Sequence, residues 1–534
     1  MRGLLHDALR ACISLGARNT GRLLALRHWW RLRRFAVNQR RLHARYKLSV
    51  DVPILRHGPE LQASLEAQAG PGVAYAATSG SSGVPKRIPY TRGRVRMVKA
   101  VYMDAFARAY AALGIRRTSL YVFSSLKRDA SLTALMMAEG RDLPPFFSTL
   151  QAPYRVHAHP QMEALTQVYS TAAVRLWVLA LSRPGCVYAT NPSTLSVFMD
   201  TLEQDWDQAR EMVVDWVQGR EFSPAIHRIA RRLASRGSAE RLRTIAQSQT
   251  PMGLAECVPG LSLICCWDGG YVRPFLERVQ ARLPASVRHL PMYSMSTETV
   301  ETLPHFGQGV CFVPLAPGVR SEFLPAGATE ASSALLGPEQ LRRGEAYSLV
   351  VSDPHGLRRY HTEDVFECAG HIHGVPDLRF KRRLGLSFSF TGEKLTGDHV
   401  TSALAQVRAA HRSTGDVPWM VCVPSQPEGD SVPHYRLVVG VRSTRSLEED
   451  AIAATFDDAL GAENSEYADK RASGRLGPVR VTVMDFESLI SQVGGSRHAQ
   501  SWETQFKFLP MLSRTWESLS ESAQTHADDG MDCG

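Results

Sequence analysis

The sequence predicts an α/β protein of two or more domains, and three observations support this fold class. Its 534 residues exceed the roughly 150 that one domain commonly holds, so a single small module is excluded. Apolar strands at residues 73–77 and 88–91 flank a loop, and apolar positions at helical spacing follow from about Arg92 to Leu113. Between Ser348 and Glu367, an apolar strand, a Pro/Gly turn and a second alternating strand predict a hairpin.

The composition is that of an ordinary globular protein. Hydrophobic residues make up 44% and charged residues 21% of the chain, far from the range of disordered proteins. The longest apolar run, Ala172 to Leu181, is short and contains Arg175, which predicts a buried helix and no membrane span. The nine cysteines lack a C-x-x-C pair and the spacing of zinc ligands, so we predict reduced thiols in a cytoplasmic protein.

Basic residues concentrate in the first fifty positions. This segment holds twelve Arg and Lys against one acid, Asp7, whereas the whole chain has a formal net charge of +10. The rest is nearly neutral, so the charge gives little support to a general nucleic-acid surface. Leu23, Trp29 and Trp30 interleave with arginines, which is typical of a basic amphipathic helix. Three interpretations remain open: helices packed on the main body, a surface that touches anionic lipid or nucleic acid, and an organelle presequence.

A loop of hydroxyl residues and glycine connects the first two predicted strands. Its backbone N–H groups and hydroxyls can close on phosphate oxygens, and a lysine at its end adds a positive charge. The G-x-x-x-x-G-K-[ST] spacing is missing, so a kinase-like or P-loop function loses support. A flexible linker is the alternative, although linkers seldom lie between two apolar strands followed by a long helix. The predicted phosphate-binding residues are Thr78, Ser79, Gly80, Ser81, Ser82, Gly83 and Lys86.

Four later segments carry polar patterns that each allow a plain structural interpretation. Met292–Glu298 is rich in hydroxyls and ends on a carboxylate, as an ordinary turn could. The charges of Asp377–Lys394 could simply be solvated. Leu460–Pro478 is compatible with a helix ended by a glycine, and Lys507, within Gln505–Pro510, would by itself be a surface lysine.

Taken together, these motifs resemble those of the acyl-adenylate-forming superfamily, which includes acyl-CoA synthetases, luciferases and peptide-synthetase adenylation domains. Their order is similar to one branch, the Gretchen Hagen family of acyl acid amido synthetases, plant enzymes that conjugate hormones such as auxin and jasmonate to amino acids. The similarity extends from about residue 45 to 515. It implies a large luciferase-like domain over residues 1–383, with the basic helical segment at 1–50, and a mobile α+β lid over 384–518. Residues 519–534 are predicted to be a disordered tail.

The resemblance implies a nucleotide site with ATP and Mg²⁺. Glu298 would hold Mg²⁺ against the phosphates of ATP, and Ser296 and Thr297 would contact the phosphate region. Asp364 would accept both ribose hydroxyls, a role that needs an acceptor with two oxygens. These roles follow from the family's motifs and not from the spacing alone.

The resemblance places two cations near or in the lid. Arg382 would be a ribose or hinge-side cation, just before the lid begins. Lys507 would swing over the α-phosphate during adenylation, where a fixed positive charge stabilises the transferring group. The implied catalytic residues are therefore Lys507 and Glu298.

Two positions depart from the family pattern. The aromatic residue expected four positions before Glu298 is replaced by Ser294, with Tyr293 displaced by one. The glycine expected before Asp364 is replaced by Glu363, which bears on the local backbone conformation.

The implied reaction is that of an ATP-dependent ligase that adenylates a carboxylic acid and transfers the acyl group to an amine or amino acid, forming an amide. A thioester-forming ligase is the first alternative, because Val84-Pro85-Lys86 is closer to acyl-CoA synthetases. A non-catalytic nucleotide- or acyl-acid-binding protein is the second. The predicted partners are small molecules, with no nucleic acid and no membrane span, and a monomer is the expected oligomeric state. Tyr121–Leu126 and Leu143–Phe147 are candidates for an apolar acid pocket, which core packing explains equally well.

Overall fold

The computed structural model describes most of the chain in two compact units. The described residues are 2–69, 73–77, 87–123, 126, 132, 135, 160–269, 272–292, 296–326, 328, 331–384, 387–411, 419–426, 432–442, 447–494 and 509–519. The first unit comprises Met1–Asp268 and Val279–Lys381, and the second comprises Gly269–Arg278 and Arg382–Gly534. The segment 269–278, which the sequence prediction assigned to the large domain, thus groups with the second unit.

The first unit begins with three helices, of which the first (Arg2–Arg33, α1) packs along the later helix Arg92–Ala112 (α4). The elements are α1 (Arg2–Arg33), α2 (Phe35–Arg45), α3 (Pro59–Ala69), β1 (Ala74–Ala77), β2 (Arg87–Tyr90) and α4 (Arg92–Ala112). Thr91 caps α4 by accepting a hydrogen bond from the backbone N–H of Arg94 at 3.3 Å. Helix α1 approaches α4 so closely that a Cβ on Gly21 would collide with the carbonyl of Ala107. The basic segment is therefore packed on the body of the protein.

A four-stranded parallel sheet forms the α/β part of the first unit, with strand order β3-β4-β5-β6. The helix at Thr171–Ser182, α6, is buried from Ala173 to Ser182, including Arg175, as its apolar sequence predicted. Parallel strands require crossover connections, and helices supply them here. The elements are β3 (Leu120–Val122), α5 (Pro160–Leu165), α6 (Thr171–Ser182), β4 (Cys186–Tyr188), α7 (Pro192–Gln204), α8 (Trp206–Gln218), α9 (Pro224–Leu233), α10 (Ser238–Gln247), α11 (Leu254–Cys257), β5 (Leu263–Cys266), α12 (Arg273–Ala281) and β6 (Arg288–Pro291).

A second sheet of the first unit has the strand order β12-β11-β10-β9, beside a separate β7–β8 hairpin. Strands β10 and β11 are antiparallel, which confirms the hairpin predicted between Ser348 and Glu367. The elements are β7 (Leu303–Phe306), β8 (Val310–Val313), β9 (Arg320–Pro325), the short 3₁₀ turns Ser332–Ala334 and Pro338–Gln340, β10 (Ala346–Ser352), β11 (Tyr360–Ile372) and β12 (Val375–Arg383).

The second unit packs helices against a three-stranded sheet. Strand order is β15-β16-β17, with β15 and β16 antiparallel and β16 and β17 parallel. Phe275 contacts Trp419, with ring centroids 4.8 Å apart, which explains why the segment 269–278 belongs to this unit. The elements are β13 (Ser387–Phe388), β14 (Leu395–Thr396), α13 (Gly397–Ala410), β15 (Met420–Ser425), β16 (His434–Val441), α14 (Glu449–Glu463), α15 (Ser465–Ala472), β17 (Arg480–Asp485) and α16 (Phe486–Gly494).

None of the helices in the described ranges combines the length and the apolar character that crossing a bilayer requires.

Candidate functional site

The predicted phosphate loop connects the strands of a hairpin. Strands β1 and β2 are antiparallel, and Ala77 pairs with Arg87 across the ends that the loop joins. The two predicted strands are therefore confirmed. The loop residues themselves, 78–86, lie outside the described residues.

The second predicted motif is attached directly to the strand that leaves this loop. The hydroxyl of Tyr90, the last residue of β2, donates a hydrogen bond to the carbonyl oxygen of Thr297 at 2.8 Å. Ser296 closes the local turn, because its hydroxyl accepts from the N–H of Thr299 at 3.3 Å. Two segments about 200 residues apart in sequence thus meet at one place.

Glu298 is buried beside the third motif. Its side chain is about 1% exposed. The hydroxyl of Tyr360, at the start of β11, donates to its Oε1 at 3.0 Å. The structure therefore joins the predicted metal carboxylate to the strand that carries Asp364.

A buried arginine holds the same region together. Arg94, in the first turn of α4, donates to the carbonyl oxygens of Glu298 and of Pro89, the latter at 3.2 Å. Its guanidinium also lies 3.8 Å from Oδ2 of Asp353, and both side chains are essentially inaccessible to water. Because an unpaired buried charge is costly, the Arg94–Asp353 pair and its carbonyl contacts fix these three segments relative to one another.

Near the Arg94–Asp353 pair, burial favours the neutral forms of the Tyr90 phenol and the His355 imidazole. Burial raises the pKa of Tyr90 against the opposing effect of Arg94. Burial likewise lowers the pKa of His355, which Asp353 opposes. Tyr90 therefore remains protonated and keeps its role as donor to Thr297 over the physiological pH range.

Asp364 lies at an irregularity in β11. Ser348 pairs with Val365, but Val350 pairs with His361, so β11 contains extra residues between these two pairs. Thr362 anchors the bulge, because its hydroxyl donates to the carbonyl of Leu349 at 3.0 Å. Asp364 is buried, with about 4% of its surface exposed.

The described residues contain no group of three or more His, Cys, Asp or Glu that could hold a metal ion. Mg²⁺ is commonly held by one or two carboxylates together with substrate phosphates, so a protein cage is not required. A single carboxylate oriented by a phenol, as Glu298 is by Tyr360, fits such a role.

Comparison with known proteins finds one family along the chain. Residues 68–287 match the model of the GH3 family N-terminal domain, and residues 313–383 match that of the GH3 family central domain. Residues 398–508 match the model of the GH3 family C-terminal domain. The chain belongs to the GH3 family.

Relatives and solved structures agree with this assignment. A GH3 domain-containing protein of Homo sapiens is 31% identical over 236 residues, which are 43% of this chain and 41% of that protein. Indole-3-acetic acid-amido synthetase GH3.8 of Oryza sativa subsp. indica is 26% identical over 181 residues, which are 32% of this chain and 30% of that protein. The alignments thus span less than half the length of either relative.

Two solved structures share the fold. A structure of AtGH3.15 acyl acid amido synthetase in complex with 2,4-DB has a TM-score of 0.69 at 14% identity, covering 89% of this chain and 87% of the other. A structure described as GH3.15 acyl acid amido synthetase has a TM-score of 0.67 at 16% identity, with the same coverage.

The GH3 pattern's missing glycine is explained by the backbone. Glu363 has φ +67°, in the left-handed region where glycine is favoured. Its carboxylate pairs with Arg56, 3.2 Å away. The bulge therefore forms here with a glutamate at the position where the family pattern has a glycine. The second departure, at Ser294 with the displaced Tyr293, lies outside the described residues.

In the second unit of this GH3 protein, the C-terminal motif residues build a hydrogen-bond network. Asn464 caps α15 by accepting from the N–H of Tyr467 at 3.0 Å, and its amide donates to the carbonyl of Glu393 at 2.8 Å. Tyr467 donates to Asp457 at 2.6 Å, and Arg471 binds the same carboxylate with two nitrogens. The side chains of this motif thus cap α15 and attach it to α14.

Of the two predicted cations, only one is described. Nε of Arg382 lies 3.1 Å from Oδ2 of Asp398, at the start of α13, and about a third of the Arg382 side chain is exposed. Lys507 lies outside the described residues. The segment that follows it pairs with β15, where the N–H of Cys422 donates to the carbonyl of Pro510 at 2.8 Å and the N–H of Leu512 donates to Cys422 at 2.9 Å.

Of the two predicted pocket segments, Tyr121, Val122, Phe123 and Leu126 are buried, whereas residues 143–147 lie outside the described residues.

Three residues that shape this site, Tyr90, Arg94 and Asp353, belong to no motif in the sequence, although an arginine beside apolar residues at the start of a long helix is a usable signal. Asn191 and Thr194, at the carboxyl end of β4 where α7 begins, likewise belong to no motif. Among the described residues, Nδ2 of Asn191 and Oγ1 of Thr194 have no hydrogen-bond partner, and both residues are at least nine-tenths buried. Open parallel sheets bind ligands at this edge, and the run Thr190-Asn191-Pro192 after an apolar strand marks it.

Proposed function

We propose that this GH3 protein is an ATP-dependent ligase that adenylates a carboxylic acid and transfers the acyl group to an amine or amino acid. Family membership and the fold shared with two amido synthetase structures support the proposal. The observation that carries it is the hydrogen bond from Tyr360 to Glu298, because it connects the two motifs that the reaction needs together.

In the first step, a carboxylate oxygen of the acid attacks the α-phosphorus of ATP. The bond to the bridging oxygen breaks, giving the acyl adenylate and pyrophosphate. In the second step, an amine attacks the acyl carbon and AMP leaves with the electron pair of the broken C–O bond. The amine loses its proton, and an amide remains. Activation as a mixed anhydride makes the poorly electrophilic carboxylate reactive toward an amine.

Glu298 is the proposed Mg²⁺ ligand, and Mg²⁺ when bound would neutralise phosphate charge during transfer. Tyr360 orients this carboxylate through its hydroxyl, 3.0 Å from Oε1. Such supporting contacts are typically worth ten- to a hundred-fold in metal affinity or activity. Ser296 and Thr297 are proposed to contact the phosphate region beside it.

Asp364 is proposed to accept the two ribose hydroxyls. Its position on the β11 bulge, with a buried carboxylate, suits a fixed acceptor. Thr78, Ser79, Gly80, Ser81, Ser82, Gly83 and Lys86 are proposed to bind the phosphates of ATP. Arg382 is proposed as a cation on the ribose or hinge side.

Lys507 is the proposed cation for the α-phosphate, supplied by a mobile domain over residues 384–518. Removing one donor of this kind typically lowers the rate by about a hundred-fold or more. We therefore expect Lys507→Ala to slow adenylation by at least about a hundred-fold, with Lys470→Ala in the same unit as the matched control.

We also propose that the protein works in the cytoplasm. The eight cysteines among the described residues are all free thiols, as expected in a reducing compartment. Alkylation of the protein as it is taken from cells, followed by mass measurement, should find all eight modified after denaturation. Paired cysteines would contradict this location.

Product analysis tests the proposed function. The purified chain is incubated with ATP, Mg²⁺ and a panel of carboxylic acids, with either a mixture of amino acids or coenzyme A, and products are identified by mass. We expect an amide with at least one acid and amino acid, and no thioester. A thioester product would instead assign the chain to the thioester-forming ligases. A lack of AMP release with every acid would support a binding protein.

A further inference from the structure

One face of helix α1, which we term its inner face, packs against α4 within the first unit. Gly21 lies against the backbone of Ala107, and Ala17 is buried in the same apolar cluster as Ala105 and Ala109. Further along, the ring of His28 stacks on His305 with centroids 5.4 Å apart. The rotation of α1 about its own axis is therefore set, and its opposite face points away from this packing.

That opposite face, which we term the outer face of α1, is both apolar and basic. Leu23, Leu26 and Trp30 are 68%, 63% and 58% exposed. At about 100° per residue, Leu15, Leu23, Leu26 and Trp30 occupy a sector of roughly 80°, and its centre is about 180° from that of Ala17, Gly21 and His28. These exposed positions lie on one side of the helix, with the polar residue Asn19 in the same sector between Leu15 and Leu23.

Exposed arginines flank the apolar stripe. Arg22, Arg33 and Arg34 are exposed. The guanidinium of Arg33 lies 4.9 Å from the ring centroid of Trp29, and that of Arg34 lies 5.6 Å from Trp30. Tryptophan rings beside basic side chains are characteristic of the interface between a membrane and water.

The chemistry of this face restricts its occupant. Arg22, Arg33 and Arg34 are exposed, and the first fifty residues contain a single acid, Asp7, so charge complementarity favours an anionic partner. With large leucine and tryptophan side chains in water, the partner also has to accept apolar groups. A bilayer that contains anionic lipids meets both requirements, whereas a nucleic-acid backbone meets only the first.

We propose that the outer face of α1 binds the surface of an anionic lipid bilayer. The helix would lie in the plane of the interface, with Leu23, Leu26 and Trp30 inserted among the acyl chains and the arginines against the headgroups. Its inner face would remain packed on α4. This binding is independent of the ligase reaction and goes beyond the proposed function.

Vesicle flotation of the full chain tests the proposal. The two lipid compositions are 30% phosphatidylserine in phosphatidylcholine and phosphatidylcholine alone. We expect binding to the anionic vesicles that weakens as salt is raised, and at least about tenfold weaker binding to the neutral ones. The variant Leu23→Ser/Leu26→Ser/Trp30→Ser should lower the partition coefficient on anionic vesicles by at least about tenfold.

Two matched controls separate this face from general surface effects. Val168→Ser/Val217→Ser removes exposed apolar side chains elsewhere and should bind like the wild type. Arg22→Gln/Arg33→Gln/Arg34→Gln should lower binding by about tenfold, whereas Arg228→Gln/Arg231→Gln/Arg232→Gln on the exposed side of α9 should not. All replaced side chains are exposed, so thermal unfolding midpoints should stay close to that of the wild type.

Several results would overturn the proposal. These are failure to bind anionic vesicles, equal binding to both compositions, and unchanged binding of the triple serine variant. A dimer in analytical ultracentrifugation that the serine variant abolishes would assign the face to a second copy of the chain. RNA binding that is lost in the Arg22/Arg33/Arg34 variant but kept in the serine variant, without lipid binding, would assign it to nucleic acid.

Discussion

Glu363 shows how one residue can preserve a backbone geometry that its family pattern assigns to glycine. Its φ of +67° costs a residue with a Cβ on the order of 1–2 kcal/mol relative to the right-handed region. The bulge around Thr362 and the pairing with Arg56 nevertheless hold it there. The exposed ion pair contributes only about 0–1 kcal/mol, so the surrounding sheet is the main constraint.

Substitutions at Glu363 should separate backbone strain from side-chain chemistry. Glu363→Gly should change the free energy of unfolding by less than about 0.5 kcal/mol, because relief of strain is offset by the freedom of glycine in the unfolded chain. Glu363→Val should lower it by about 2 kcal/mol, since a β-branched residue is strongly disfavoured at positive φ. Chemical denaturation checks both values. Equal effects of glycine and valine would contradict a left-handed conformation here.

His28 gives the fold an acid sensitivity of predictable sign. Burial, with a smaller contribution from Arg108, lowers its pKa from 6.5 to about 2, so the folded protein holds it neutral. The unfolded chain takes up a proton at this residue below pH 6.5. The contribution of neutral His28 to the free energy of unfolding is therefore fully present above pH 6.5. As the pH falls below 6.5, this contribution is lost by about 1.4 kcal/mol per pH unit.

The pH dependence of unfolding checks this contribution. Between pH 6.5 and 5.5, wild type should lose about 1 kcal/mol more stability than His28→Gln. His371→Gln, at an exposed position, serves as the matched control and should follow the wild type. Identical slopes for wild type and His28→Gln would show that His28 is not held neutral by burial.

At the scale of elements, the candidate site depends on the meeting of β2, α4 and β11 around the loop that carries Glu298. Tyr90 and Arg94 attach the start of α4 to residues 297 and 298, and Tyr360 attaches β11 to the same place. The motif residues thus share a framework of buried donors. This framework explains why a loop between β6 and β7 can present Glu298 in a defined orientation.

Tyr360→Phe should weaken the proposed reaction without unfolding the protein. Loss of the hydroxyl removes the donor that orients Glu298, and we expect a ten- to hundred-fold fall in acid-dependent pyrophosphate exchange, as is typical for groups that support a metal ligand. The Mg²⁺ concentration for half-maximal rate should rise. Tyr347→Phe is the matched control, because Tyr347 lies on β10 of the same sheet and its hydroxyl accepts a hydrogen bond from the backbone N–H of Arg342. Equal rates and equal Mg²⁺ requirements in both variants would argue against the role of Tyr360.

Local patterns predicted several elements well. The β1–β2 hairpin, the buried helix α6 and the β10–β11 hairpin all follow from apolar periodicity and turn residues, which are local properties. The Arg94–Asp353 pair could not be predicted, because each residue is ordinary until the other segment is known. The unpartnered polar groups of Asn191 and Thr194 likewise become visible only when burial is known.

At the scale of the whole molecule, the chain has two units and belongs to one family along its length. The resemblance of scattered motifs predicted the GH3 family, which the family models confirm. It could not predict that residues 269–278 group with the second unit, because that depends on the contact between Phe275 and Trp419 across some 140 residues. The roles of individual site residues remain predictions.

The basic charge of the N-terminal segment is also explained at the scale of the whole molecule. Packing of α1 on α4 accounts for one face of the helix, and the leucines, tryptophans and arginines of the outer face are left to the solvent. The two interpretations, a packed helix and a lipid-binding surface, are therefore compatible. They concern opposite faces of one helix.

Acid-dependent exchange of radiolabelled pyrophosphate into ATP tests the central claim most directly, measured for wild type, Glu298→Gln and the exposed control Glu345→Gln. We expect exchange by wild type and by Glu345→Gln with at least one carboxylic acid, and a rate at least about a hundred-fold lower for Glu298→Gln. Undiminished exchange by Glu298→Gln, or no exchange by wild type with any acid, would contradict an adenylating site built around Glu298.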